Sequence, residues 1–321
     1  MTGEDAVADQ PSPAPGAAPV TLGGAVVRAG TSSWADRSLI AAGSFYPRRT
    51  MTARARLAWY CRLLPLAELT APYRFPPTPD LSAQWASRTP EGFTFDVRAW
   101  SLLTGNPTFP DSLWPDLQKA VLPSRRPRRR LYASNLPAEV LDECWARFAH
   151  ALSPLHRAGR LGAVILQYPA WFSPRPETWA ELASARRRLP GYRVAVELHH
   201  PKWFEGDGCE TTLEFLEDHH LSLVCLDGPS TGARAMPAVV AATAELAVVR
   251  FSGRRAVADE PWTWPYRYGD RELAAWVPHV ADLASSAGEV HLLMDNCWGS
   301  DGVDNATTLL RLLQEAPARP R

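Results

Sequence analysis

The chain has 321 residues, with 34 Lys plus Arg balanced by 34 Asp plus Glu. That length can bury one large core, and the absence of a basic excess argues against a general polyanion binder. No apolar run reaches the roughly 18 residues of a membrane span. The five cysteines (Cys61, Cys144, Cys209, Cys225, Cys297) are scattered without zinc spacing, which points to reduced thiols in a cytoplasm.

Residues 1–24 carry Glu4, Asp5 and Asp9 among Ala, Pro and Gly, the reverse of a signal peptide, and are expected to form a flexible tail. The next run, 26–33, reads as a strand. A helix over 52–64, a strand at 66–73 and a helix over 79–88 follow. The segment 93–100 alternates strictly, placing Phe93, Phe95 and Val97 on one face and Thr94, Asp96 and Arg98 on the other. Next comes a long connection, 101–137, which contains the basic stretch RRPRRR at 125–130. The pattern then gives a helix over 138–158, a strand at 162–169, a helix over 176–189, a strand at 193–200, a helix over 211–220 and a strand at 221–228. Only the connection after this last strand lacks a helical period. Strands at 245–253 and 289–296 bracket a loop holding Trp262, Trp264, Tyr266 and Tyr268, then a helix over 270–287. A helix over 304–315 closes the chain, with Asp304 as its N-cap.

Eight short apolar strands alternating with helices, and no Gly-rich phosphate loop, predict a single α/β domain over 25–317. It would be a (β/α)8 TIM barrel with its site at the strands' C-terminal ends. Nearly every strand closes on a polar residue: Glu68, Arg98, Gln167, Glu197 with His199, Asp227, Arg250, and Asp295 with Asn296. A charge in a strand buried on both faces is costly unless paired or used, so these groups are expected to converge on one rim. Strand parity puts Glu197 and His199 together on the inner face and His200 on the other. The simpler alternative is a set of structural ion pairs, such as Glu197 with Arg98 or Asp227 with Arg250. His219 and His220 close a helix, where a cation complements the dipole, and adjacent strand residues such as His199 and His200 diverge too far to chelate one ion. There is no GxSxG, HExxH, Walker A or GxGxxG motif in context.

The motifs resemble the DUF72, or YecE-like, family. Its GTSGW is matched by Gly30-Thr31-Ser32-Ser33-Trp34, its FYP by Phe45-Tyr46-Pro47, and its EINSTFY by the segment from Glu68 to Tyr73. Its FxFxVKA corresponds to Phe93 through Ala99, with Arg98 for the lysine, and its FQLPPSF to Leu166 through Phe172. AVEFRHPSWF is matched by Ala195 through Phe204, with His199 where the family has arginine. Its RxHG is Arg250 through Gly253, with Ser252 for the histidine. The YFNN ending resembles Met294-Asp295-Asn296, followed by Asn305-Ala306. The resemblance implies a TIM barrel related to the xylose-isomerase-like and endonuclease-IV-like group, with no settled activity. Thr70, Arg98, His199 and Ser252 are its departures at candidate pocket positions.

The expected function is to bind or transform a small polar or anionic ligand, a polyol, sugar or phosphorylated metabolite; in an enzyme Glu197 would be the general base or acid, helped by His199. Glu197, His199 and Asp227 form the catalytic set. Glu68, Tyr73, Arg98, Gln167, His200, Trp203, Arg250, Asp295 and Asn296 form the ligand-binding set. Arg98 and Arg250 are expected to hold an anionic group. No cofactor is expected. A divalent metal on Glu68, Glu197, Asp227 and Asp295 is the less favoured variant, because the two arginines would compete with it. The alternatives are a nucleic-acid-binding or -processing barrel that uses the basic and aromatic loops, and a non-catalytic ligand-binding barrel.

Overall fold

All eight predicted strands form, and the order in which they pair decides what they enclose. The computed structural model describes residues 16–121, 130–229, 235–255 and 265–316. The basic stretch up to residue 129, together with Trp262 and Trp264, lies outside the described residues. In chain order the elements are β1 (Val20–Leu22), β2 (Ala25–Thr31), α1 (Arg37–Ala42), α2 (Ala53–Cys61), β3 (Leu66–Leu69), α3 (Pro79–Ser87), β4 (Thr94–Arg98), α4 (Pro115–Val121) and α5 (Ala138–Arg157). They continue with β5 (Leu161–Gln167), α6 (Pro176–Arg188), β6 (Val194–Glu197), α7 (Gly208–Asp218), β7 (Leu221–Asp227), β8 (Leu246–Phe251), α8 (Asp270–Ala274), α9 (Trp276–Ser286), β9 (Glu289–Met294) and α10 (Asp301–Glu315). Strands β2 to β9 pair in sequence, all parallel, and β9 returns to β2 from Val26–Glu289 to Thr31–Met294, closing the barrel.

Residues 17–22, placed within the expected tail, belong to the fold. Ala17 N–H donates to the Cys61 carbonyl at 2.8 Å, and β1 pairs antiparallel with the lower half of β2. Gly23 and Gly24, at φ +61° and +101°, make the tight turn between them, a conformation that L side chains rarely adopt. β1 fills the seam below the point where β2 meets β3, since only Gly30 and Thr31 pair with β3. Two short helices, α1 and α4, escape the periodicity reading because neither spans enough residues to show a face. The predicted helix over 270–287 is two helices. Pro278 has no N–H for the Ala274 carbonyl, and α8 ends at that residue. Nor is Asp304 an N-cap. Ser300 holds that place, and Asp304 accepts from Ser300 Oγ and Arg267 within the first turn. No helix is found among the described residues between β7 and β8. Thr243 there bonds the Leu223 N–H and the Leu221 carbonyl instead.

Burial separates two apolar cores. A large one lies between the barrel and its helices, and a small one fills the barrel with Leu66, Ile165, Ala195, Val224, Val248 and Leu293. Each inner residue sits two positions below a candidate site residue or its counterpart on the same strand, so this layer is the floor on which the polar groups stand. Among the described residues no helix is long and apolar enough to cross a membrane.

Candidate functional site at the barrel mouth

Glu68 is the centre of the cluster at the C-terminal end. It is fully buried, and its carboxylate is gripped on both edges. Arg98 donates through Nε and Nη2 at 2.9 and 3.0 Å, and Arg250 through Nη1 and Nη2 at 2.9 Å each. Arg250 also donates through Nε to Glu197 Oε2 at 2.7 Å and through Nη1 to Ser32 Oγ at 3.2 Å. Glu197 Oε1 takes the Gln167 amide and His199 Nε2, both at 2.7 Å. Asp295 closes the ring at 3.4 Å from Arg250 and 3.6 Å from Arg98. Side chains from β3, β4, β5, β6 and β8, with flanking residues of β2, β6 and β9, therefore meet in one network.

Burial alone would raise both glutamates, but the guanidiniums outweigh it. Arg250 and Arg98 hold Glu68 down to about 2. Arg250 and His199 hold Glu197 well below the ordinary carboxylate range. Both carboxylates are held as anions by these partners. His199 is differently placed: its Nε2 faces Glu197, its side chain is 32% exposed, and Nδ1 has no partner among the described residues. Asp295 is 29% exposed and Arg98 15%, so the network is sealed below and open at its rim. Tyr73 stands near Arg98, with its phenol raised by burial. The network holds three carboxylates, two guanidiniums and the His199 imidazole. Arg250 is saturated by Glu68, Glu197 and Ser32, which leaves little of the anion-binding capacity expected of the arginine pair.

Four expected site residues lie elsewhere, three by the alternation of side chains along extended backbone and Trp203 because it ends the turn Pro201–Trp203. In β7 it is Leu226 that sits opposite Arg250 and faces inward, whereas Asp227 sits opposite Phe251 and faces the helices. There Asp227 accepts from Arg254 Nε at 2.8 Å, from the Tyr268 hydroxyl at 3.0 Å and from Trp276 Nε1, so it anchors both stems of the loop after β8. Asn296 likewise points outward, donating to the Tyr266 carbonyl and to Asn305. His200 accepts the Lys202 N–H and caps a turn. Trp203 is fully buried and donates to the Phe172 carbonyl at 2.6 Å. With Asp227 facing out, the four-carboxylate metal set is not assembled. Among the described residues no group of three or more His, Cys, Asp or Glu is placed to hold a metal.

Sequence reasoning missed Ser32. It also missed a second polar cluster at the N-terminal end of the barrel. There His291 lies between Asp96, at 2.9 Å from Nδ1, and Glu289, at 3.0 Å from Nε2. Asp96 takes the Ala163 N–H at 2.8 Å, and Glu289 takes Arg28 and Arg193. Gly162 leaves the space: a Cβ there would come within 2.3 Å of Asp96 Oδ1 and 2.8 Å of His291 Cε1. The signal was present, since Asp96 shares a face with Arg98 and His291 one with Asp295.

A model described as "Protein of unknown function DUF72" matches residues 28–321. The chain is 27% identical over 298 residues to the UPF0759 protein YunF of Bacillus subtilis, covering 88% of this chain and 93% of that protein. In fold it is similar to the crystal structure of a DUF72 family protein from Enterococcus faecalis, with TM-score 0.71 and 22% identity over 92% of this chain and 98% of that one. It is also similar to one from Thermotoga maritima, with TM-score 0.70 and 24% identity over 90% and 99%.

Proposed function

The chain belongs to the DUF72 family, and from that premise we propose that it is a proton-transfer enzyme acting on a neutral polyhydroxylated small molecule, a sugar or polyol, at the C-terminal mouth of the barrel. The observation that carries this reading is the His199–Glu197 pair. A buried carboxylate held as an anion orients one imidazole nitrogen, and the other is left free at the exposed rim. This is the arrangement of a general acid–base with a positioning partner. His199 moves the proton, while Glu197 and Gln167 fix the ring. Asp295, Arg98 and the Tyr73 hydroxyl offer hydrogen bonds to hydroxyl groups. The saturation of Arg250 by Glu68, Glu197 and Ser32 favours a neutral ligand over a phosphorylated one. The free thiols of all five cysteines are in keeping with a cytoplasmic location.

The test is a thermal-shift screen of the full-length protein against sugars, polyols and their phosphates, followed by deuterium incorporation from heavy water into any compound that binds. A ligand at a hundred times its Kd should add about 2.7 kcal/mol of stability. Neutral compounds should bind better than their phosphates, and incorporation by the wild type should vanish in His199→Gln. Preference for the phosphates would restore the anionic reading. Binding with neither carbon-bound exchange nor hydrolysis in the wild type would leave a non-catalytic ligand-binding barrel.

A further inference from the structure

We infer that the substrate is an oligosaccharide, and that the chain around its reacting residue is held by a rim of exposed aromatic rings on one side of the barrel mouth. This rests on the reading of the mouth as a sugar or polyol site. Among the described residues seven large apolar side chains are exposed. Two are leucines, Leu63 and Leu81, and the other five are aromatic: Phe75, Phe109, Tyr132, Trp171 and Trp298. All five aromatics lie in connections that follow the C-terminal end of a barrel strand. Phe75 follows β3, Phe109 and Tyr132 follow β4, Trp171 follows β5 and Trp298 follows β9. Strands β9, β2, β3, β4 and β5 are successive neighbours around the barrel, so the rings stand on one arc of its mouth. The same strands carry Glu68, Arg98 and Gln167 into the network, and Asp295 follows β9 directly.

An exposed Trp at 60%, as Trp171 is, gives up the gain of burial unless something covers it. Three features select the occupant. The rings come from separate loops with polar residues between them, among them Arg74 and Asp111 beside Phe75 and Phe109, so they do not form the continuous apolar patch that a protein partner needs. Aromatic platforms of this kind also suit the bases of single-stranded nucleic acid, but such a chain needs a positive groove for its phosphates. At the centre of the mouth both guanidiniums are already engaged by Glu68 and Glu197, which leaves no such groove there. A neutral chain of sugar rings meets both demands: its apolar ring faces stack on Phe75, Tyr132, Trp171 and Trp298, Phe109 already carrying the Arg130 guanidinium over its ring at 3.6 Å, and its hydroxyls bond the central polar groups.

Isothermal titration of the full chain with cello-, xylo-, malto- and chito-oligosaccharides, from one to six sugars, tests this directly. At least one series should gain about tenfold or more in affinity between one and four sugars, the size of one stacked ring. Trp171→Ala should remove about tenfold of that length dependence. Leu63→Ala, an exposed apolar control in the connection before β3 at the opposite end of the barrel, should leave it intact. Equal affinity for the single sugar and the longer chains would overturn the aromatic rim while leaving the central sugar site standing. Loss of binding to every sugar would overturn both. Tight, salt-sensitive binding of a single-stranded oligonucleotide, with none to the sugars, would assign the rings to bases instead.

Discussion

The barrel interior carries two polar clusters, one at each end, separated by the apolar layer of Leu66, Ile165, Ala195, Val224, Val248 and Leu293. Both contain carboxylates, guanidiniums and an imidazole, yet they are finished differently. At the N-terminal end the imidazole of His291 is fully buried and held on both nitrogens by carboxylates, while Glu289 is held in turn by two arginines. At the C-terminal end the buried members, Glu68, Glu197 and Arg250, are equally saturated. The rim members, His199, Asp295 and Tyr73, keep polar atoms without short partners. A saturated cluster holds strands together; a cluster with spare hydrogen-bonding capacity at an open face can hold a ligand.

The largest effect is expected at Glu68, the residue that joins the two kinds of role. Glu68→Ala leaves two guanidiniums without their shared carboxylate, one of them fully buried, and should cost about 3–5 kcal/mol in urea denaturation. Because Glu68 is held down to about 2, its contribution is present above the ordinary carboxylate range and is lost as pH falls through that value. A loss below about 1 kcal/mol would mean that water reaches the arginines freely.

His291 comes next. Burial alone would lower its pKa, but the charge and hydrogen bond of Asp96, with Glu289, raise it above the ordinary value of about 6.5. Its contribution is therefore complete below that value and is lost as pH rises through the raised one. His291→Gln should cost about 2–4 kcal/mol at pH 6, and the gap from wild type should narrow toward pH 9 in a series of urea titrations. Parallel profiles would show a neutral imidazole and remove the lower cluster as the charged counterpart of the upper one.

Asp227→Asn should cost about 1–3 kcal/mol by loosening Arg254, Tyr268 and Trp276 together. Without any role in the mouth network, it should keep the pattern of ligands seen in the thermal-shift screen. The smallest stability effect belongs to His199→Ala, within about 0.5 kcal/mol, because the side chain is one-third exposed. The same variant should abolish proton exchange. A stability loss comparable to that of His291→Gln would place His199 with the structural groups and erase the contrast between the two ends.

Much of this was readable along the chain. Strict alternation in 93–100 placed Asp96 and Arg98 on one face, and eight alternating strands and helices without a Gly-rich loop favoured a closed parallel barrel over an open sheet. The motif containing Glu197 and His199 stood at a strand end, where such barrels keep their sites. The placing of Asp227 and Asn296 in the site came from taking neighbours in sequence as neighbours in space, whereas Trp203 lies on the turn after β6. Asp227, Asn296 and His200 are adjacent to inward positions and face out, because successive side chains on a strand diverge.

Residue order alone determined the eight-stranded barrel, its family and the face on which polar groups gather, because periodicity and strand-end polarity are local properties. Only the folded barrel decided which charges neutralise one another. Arg250 meets Glu68 across 182 positions, and His291 meets Asp96 across 195. Such pairings depend on the closure of β9 onto β2 and on the tilt of the strands. No window of sequence contains either, and they alone separate a saturated plug from an open site.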